Sequence, residues 1–143
     1  LAEGLHLRWT NLRAPEWDVG RLAEAAMDAG AGILATGHSL DDEALEVFVC
    51  CLQGDPDGLL PLRDTGAEWI RPLRRIPERE IRLYASLHGL RLYGGRQHED
   101  AFRAEARRHL LAFDSRHPGT MYSLQRGLDR ILAFYDGGRG KPF

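Results

Sequence analysis

Between Gly37 and Glu43 the chain sets a histidine, a serine and three carboxylates within one short stretch, Gly37-His38-Ser39-Leu40-Asp41-Asp42-Glu43. Ser39 stands where a helix N-cap belongs. Asp42, three residues later, completes a capping box with Asp in place of the usual Glu or Gln. Asp41, Asp42 and Glu43 then crowd the first turn, where carboxylates oppose the positive end of the helix dipole. Two readings follow from these residues. One is a strand, a tight turn and a well-capped buried helix. The other is a ligand site just beyond the carboxyl end of a parallel strand, the usual location in an open α/β sheet. A Ser/His/Asp triad assembled from Ser39, His38 and Asp41 is set aside, because neighbours in one turn do not point at each other productively.

A second group of reactive side chains is cationic. Arg103 and Arg107 lie four residues apart, on one face of a helix, with Arg108 beside them. Like charges at that spacing repel by a few tenths of a kcal/mol, a cost relieved if an anion lies opposite. The remaining chemistry is sparse. Six histidines, at positions 6, 38, 88, 98, 109 and 117, show no metal-ligand spacing. Cys50 and Cys51 are adjacent in an apolar helix, where neighbours point about 100° apart, so they read as buried free thiols. Dinucleotide and Walker glycine patterns are absent.

Secondary structure must position these groups. Val19, Leu22, Ala23, Ala26 and Met27 follow the helical i, i+3, i+4 rule, and Gly30 suits the helix end. Ile33–Ala35 predicts a short strand leading into Thr36 and the Gly37 turn. From Ala44 to Leu52 the next helix is apolar on most sides and should be buried on more than one face, ending before Gly54-Asp55. Glu68–Ile70 predicts another strand, and Leu5–Trp9 and Leu90–Tyr93 two more short ones. A helix should open with Pro77 at its first position and carry Ile81, Tyr84, Ala85 and His88 on one stripe, His88 as a hydrogen-bonded core-edge residue. Glu99–Phe113 predicts a helix burying Phe102, Ala106, Leu110 and Phe113. Thr120 can cap a last helix carrying Met121, Leu124, Leu128 and Ile131, before a frayed tail from Gly137. The order is α/β first and mainly helical afterwards.

The chain has 143 residues, 43% hydrophobic and 28% charged, the profile of a single soluble globular domain. No apolar run approaches a membrane span, and the two cysteines suit a cytoplasmic compartment. The net charge of −2 hides an uneven distribution. Residues 1–70 hold 4 arginines against 13 carboxylates, whereas residues 71–116 hold 11 against 6. The second half could therefore face a polyanion, or its arginines could line solvated helix faces.

Beyond the residues themselves, Ala35-Thr36-Gly37-His38-Ser39-Leu40-Asp41-Asp42-Glu43-Ala44, followed by Gly54-Asp55, resembles the second motif of the PP-loop ATP pyrophosphatases that act on tRNA. The pattern is that of the tRNA 2-thiouridine and 2-thiocytidine sulfurtransferases, TGHN-x-DDEAET running to L-x-GD. The likeness continues through Arg71-Pro72-Leu73-Arg74, Glu80–Ala85, Asp100–Arg103 with Arg107, and Pro118-Gly119-Thr120. It implies part of an open parallel sheet of the adenine nucleotide alpha hydrolase kind, followed by a mainly helical half, residues 71–143. It also implies that Thr36, Gly37 and His38 border a nucleotide, with Asp41 or Asp42 serving magnesium or acid–base work. Arg71, Arg103 and Arg107 inherit an anion-facing role toward tRNA. ATP, magnesium and tRNA are the implied ligands; a sulfur-carrier protein and a homodimer are compatible with them.

The departures from the pattern are large. The S-G-G-x-D-S phosphate loop is not in these 143 residues, and Ser39 replaces the usual Asn. Counting back from Thr36, the C-x-x-C cysteines fall on Asn11 and Ala14 and the following basic residue on Asp18. The later cysteine falls on Gly95, and the zinc-ribbon cysteines near Asp136 and Arg139. With those thiols missing, the sequence predicts neither an iron–sulfur cluster nor zinc. The expectation is thus a truncated or degenerate tRNA-thiolating pyrophosphatase, inactive by itself. A non-catalytic tRNA- or nucleotide-binding relative, or a lysidine-synthetase-like modifier that needs no cysteine, are the alternatives.

Overall fold

A computed structural model describes residues 19–59, 68–91 and 99–137, which fall into two compact units. The first unit contains helix α1, Val19–Asp28, and two strands, β1 at Ile33–Ala35 and β2 at Glu68–Ile70. Gly30 takes a φ of +68°, and its N–H closes on the Met27 carbonyl at 2.8 Å, so α1 ends where a residue without Cβ can turn the chain. β1 and β2 pair in parallel, with Leu34 opposite Trp69. Thr36 extends the ladder by donating its N–H to the Ile70 carbonyl at 3.0 Å. Among the described residues the sheet consists of these two strands. The Leu5–Trp9 strand and residues 60–67 lie outside the described residues, as does the tail after Gly137.

The second unit is helical: α2 at Leu40–Gln53, α3 at Glu78–Leu87, α4 at Ala101–Arg116 and α5 at Thr120–Gly137, with a 3-10 turn at Asp57–Leu59. Its core is built on α2. Leu40, Ala44, Leu45 and Val49 cluster with Ala106 and Leu110 of α4 and Met121 of α5. Val47 and Cys50 are buried as well, so α2 is covered on more than one face, as its all-round apolar sequence predicts. Gly54 ends it at a φ of +66°, the left-handed position that glycine reaches without strain.

Several helices differ from their sequence patterns. Pro77 precedes α3 rather than opening it, and the N–H of Glu78 is taken by the Asp41 carboxylate at 2.7 Å. α3 buries only Ala85 of its expected stripe, and His88 is exposed, its Nδ1 2.9 Å from the Tyr84 carbonyl and its ring stacked on Tyr84. α4 begins at Ala101, capped by Asp100, which accepts the Arg103 N–H at 2.8 Å. Phe102 and Phe113 remain about half exposed, because the α2 and α5 contacts are filled by the smaller Ala106 and by Leu110. Thr120 does not accept an amide. Its hydroxyl donates to the His117 carbonyl at 2.7 Å, while Asp114 receives the Met121 N–H at 3.1 Å. Cys51 is exposed, one position around the helix from the buried Cys50. Leu90 and Arg91 form no strand, and Leu92 and Tyr93 lie outside the described residues.

Candidate functional site

The turn at Gly37–Glu43 is built as its residue types dictate. Ser39 adopts an extended N-cap conformation; its hydroxyl accepts the Asp42 N–H at 3.3 Å and donates to Asp42 Oδ2 at 2.7 Å. Asp42 Oδ2 also accepts the Ser39 N–H at 2.9 Å, closing the reciprocal box. Asp41, next in the same turn, reaches outward to cap α3. The two neighbouring carboxylates therefore start two different helices.

Glu43 is the third acid and the most buried, its side chain 1% exposed. A carboxylate so far from water must be paired. It accepts from Arg71 Nη1 at 2.6 Å and from Arg74 Nη2 at 3.2 Å. Arg74 continues to Asp129 of α5 at 2.7 Å, and Asp129 also receives Arg75 at 3.0 Å and the buried Gln125 amide at 2.7 Å. A chain of ionic hydrogen bonds thus joins α2, the segment 71–75 and α5. Sequence reading missed Glu43, Arg74, Gln125 and Asp129 as members of one network. The signal available was a charged residue in an otherwise apolar helix face, which requires a partner.

His38 is half-buried beside this network. Burial, and then the nearby Arg71 charge, lower its pKa below the ordinary 6.5, against the opposing pull of Asp42, Glu43 and Glu46. The imidazole is accordingly neutral at pH 7, able to donate from one ring nitrogen and accept at the other.

The cationic face of α4 meets α2. Arg103 hydrogen-bonds Glu46, which holds its guanidinium more firmly protonated. Arg107 donates Nε to Glu99 at 2.8 Å and brings Nη2 within 3.7 Å of Asp42 Oδ1. The anion that relieves their mutual repulsion is in the protein itself. The structure therefore brings Asp42 to Arg107 and Arg71 to Glu43, while Gly37 and His38 open the second unit and Thr36 closes the β1 segment of the first.

Among the described residues no group of three or more His, Cys, Asp or Glu side chains could hold a metal ion. Asp41 and Asp42 spend lone pairs on helix caps, and Asp42 lies against a guanidinium. That donor set does not make a resident magnesium site by itself.

No family model matches the chain. The tRNA 2-thiolation protein NcsA of Haloferax volcanii is 33% identical over 125 residues, covering 77% of this chain and 39% of that protein. The tRNA-5-methyluridine(54) 2-sulfurtransferase of Thermus thermophilus is 33% identical over 94 residues, 62% of this chain and 28% of that enzyme. Its relatives are tRNA-thiolating enzymes. Among solved structures, the U34-tRNA thiolase NcsA from Methanococcus maripaludis with its [4Fe-4S] cluster matches with a TM-score of 0.68 and 30% identity, over 79% of this chain and 40% of that one. The resemblance to PP-loop tRNA-thiolating enzymes carried by the Thr36–Glu43 motif thus holds in both sequence and fold.

The chain spans two fifths or less of the length of each of these three relatives. The expectation that an iron–sulfur cluster is foreign to this protein is corrected. The solved thiolase carries a [4Fe-4S] cluster, and the matched region is 40% of its length. Two cysteines in 143 residues are an inventory of this stretch alone and give no ground for setting cluster chemistry aside. No helix among the described residues is long and apolar enough to cross a membrane.

Proposed function

We propose that the chain serves ATP-dependent thiolation of a tRNA base, contributing the turn that borders the nucleotide and the helices behind it. In that reaction a base carbonyl oxygen is adenylated with release of pyrophosphate, and sulfur then displaces AMP at the same carbon. The observation that carries the reading is the 33% identity over 125 residues to a tRNA 2-thiolation protein, joined to the capped Gly37–Glu43 turn at the head of α2. The β1–β2 pair fits a fragment of an open parallel sheet of the adenine nucleotide alpha hydrolase kind, a reading supported by the TM-score of 0.68.

Within this proposal Gly37 and His38 approach the nucleotide, the neutral imidazole acting as a hydrogen-bonding group. Asp41 keeps Oδ1 without a hydrogen-bond partner among the described residues, while Oδ2 caps α3, so Oδ1 is the acceptor available to a bound group. Arg71, Arg103 and Arg107 act mainly by holding the acids of α2. A sulfur-carrier protein would supply sulfur, a homodimer would be the assembly, and the cytoplasm the place of action.

The test is nucleoside analysis by mass spectrometry of tRNA from cells lacking the gene. The expected result is loss of one 2-thiopyrimidine, restored by the wild-type gene and poorly by Asp41→Asn. An unchanged nucleoside profile in the deletion strain would overturn the proposal. A second reading, a non-catalytic RNA-binding relative, is favoured by one observation: both motif aspartates are engaged as helix caps. Normal thiolation in the deletion strain, combined with tRNA binding by the chain, would select it.

A further inference from the structure

The arginines that the motifs single out are neutralised by the protein's own carboxylates: Arg71 by Glu43, Arg103 by Glu46 and Arg107 by Glu99. A guanidinium already paired in this way has little left to offer a phosphate. Arg116 and Arg126 are different. Both are exposed, and among the described residues neither meets a carboxylate. Arg116 donates Nε to the Ala112 carbonyl at 3.1 Å, and Arg126 donates to the Ser123 hydroxyl at a long 3.4 Å, so each keeps donors for an outside acceptor.

These two arginines line one open concavity at the turn from α4 to α5, together with His117, Thr120 and Ser123, and no carboxylate is among its lining residues. Pro118 and Gly119 form its edge and also border a neighbouring cleft of about 470 Å³. That cleft adds Arg79, exposed and likewise unpaired with any carboxylate among the described residues, and the ring of Tyr122. It also holds two acids, each with one oxygen on a helix amide: Asp41 Oδ2 accepts the Glu78 N–H and Asp114 Oδ1 the Met121 N–H, so the carboxylate-free concavity of Arg116 and Arg126 is the stronger anion site. Three of the first four amides of α5 are also taken, Thr120 by His117, Met121 by Asp114 and Ser123 by Gly119, so the attraction comes mainly from the side chains.

We propose that this surface around Pro118–Gly119, carrying Arg116 and Arg126 with Arg79 beside them, binds the phosphate backbone of RNA. The inference rests on the tRNA reading above and names the face that would meet the polyanion. The forked guanidinium groups of Arg116 and Arg126, around a concavity with no carboxylate in its lining, match phosphate oxygens in charge and geometry. The spread over two adjoining concavities suits successive phosphates of a strand better than one small anion.

The test uses the full 143-residue chain and a tRNA transcript, with affinity measured by fluorescence anisotropy across a salt series. Each phosphate that the protein ceases to neutralise lowers the slope of log K against log salt by about 0.7–0.9. Arg116→Gln with Arg126→Gln should therefore lower the slope by roughly 1–2 and weaken binding about tenfold near 0.1 M salt. Both residues are exposed, so the unfolding midpoint of the double variant should stay at the wild-type value, which separates a weakened interface from a damaged fold. Wild-type affinity and slope in the double variant would overturn the proposal, as would undetectable tRNA binding by the wild-type chain. Displacement of tRNA by millimolar inorganic phosphate, beyond the effect of matched ionic strength, would also overturn it in favour of a free-anion site. These outcomes are independent of the nucleoside profile, so either proposal can fail alone.

Discussion

Asp41 and Asp42 are neighbours in sequence and serve different helices. Removing the Asp42 side chain breaks one half of the capping box at α2, the bonds from the Ser39 N–H and hydroxyl to Oδ2, and leaves the Asp42 N–H on the Ser39 hydroxyl. Asp42→Ala should cost about 1 kcal/mol in denaturant unfolding, with faster exchange of the Ser39 amide at the start of α2. Asp41→Ala should cost a similar amount but speed exchange at Glu78, at the start of α3. Equal protection of the Glu78 amide in the variant and the wild type would refute that assignment. His38 offers a pH test. Burial and Arg71 lower its folded pKa below the unfolded 6.5, so the unfolded state binds the proton more readily between the two values. Its contribution to stability is complete above pH 6.5 and is lost as pH falls through the folded pKa. NMR titration should find the His38 midpoint below 6.5, and Arg71→Gln should move it upward.

At the scale of elements, the Glu43–Arg71–Arg74–Asp129 chain fastens α2 and α5 to the segment between them. Glu43→Ala leaves two guanidinium groups facing a dry helix surface and should cost about 2–3 kcal/mol in chemical denaturation, more than a surface ion pair would. Asp129 acts in the same sense as His38 but in a more acidic window. Burial works against its ionised form, but hydrogen bonds from Gln125 and Arg74 hold the carboxyl below its usual range. Its stabilisation is therefore whole above about pH 3.9 and disappears as pH falls through the folded value. Asp129→Asn should flatten the pH dependence of stability in that acidic window. The two cysteines also separate by position on α2. Burial, then Glu46 and Asp55, raise the Cys50 pKa, while Cys51 is exposed. A thiol reagent should label Cys51 readily and Cys50 only on unfolding.

Across the whole molecule the uneven charge distribution finds its explanation in the second unit. Acids of α2 from the first half of the sequence pair with arginines of the second half, so much of the apparent polyanion-facing charge is spent internally. The hydrophobic cluster around Leu45 lies under these pairs. Leu45→Ala should cost about 2–5 kcal/mol, with α2, α4 and α5 losing structure in one transition followed by circular dichroism. Local sequence determined the capped turn, the left-handed glycines after α1 and α2, the β1 and β2 strands and the existence of the five helices with little ambiguity. It did so because caps, periodicity and glycine backbone preferences act within a few residues. Only the tertiary structure decided which arginines are paired, that Asp41 caps α3 rather than standing free, and that Phe102 and Phe113 stay half exposed. Those outcomes depend on partners 28 to 57 positions away in the chain for the ion pairs to Glu43, Asp129 and Glu46, and no local pattern encodes which carboxylate a guanidinium will reach. The Gly37–Glu43 motif was legible at once; that its acids organise the surrounding helices became visible only when the helices were in place.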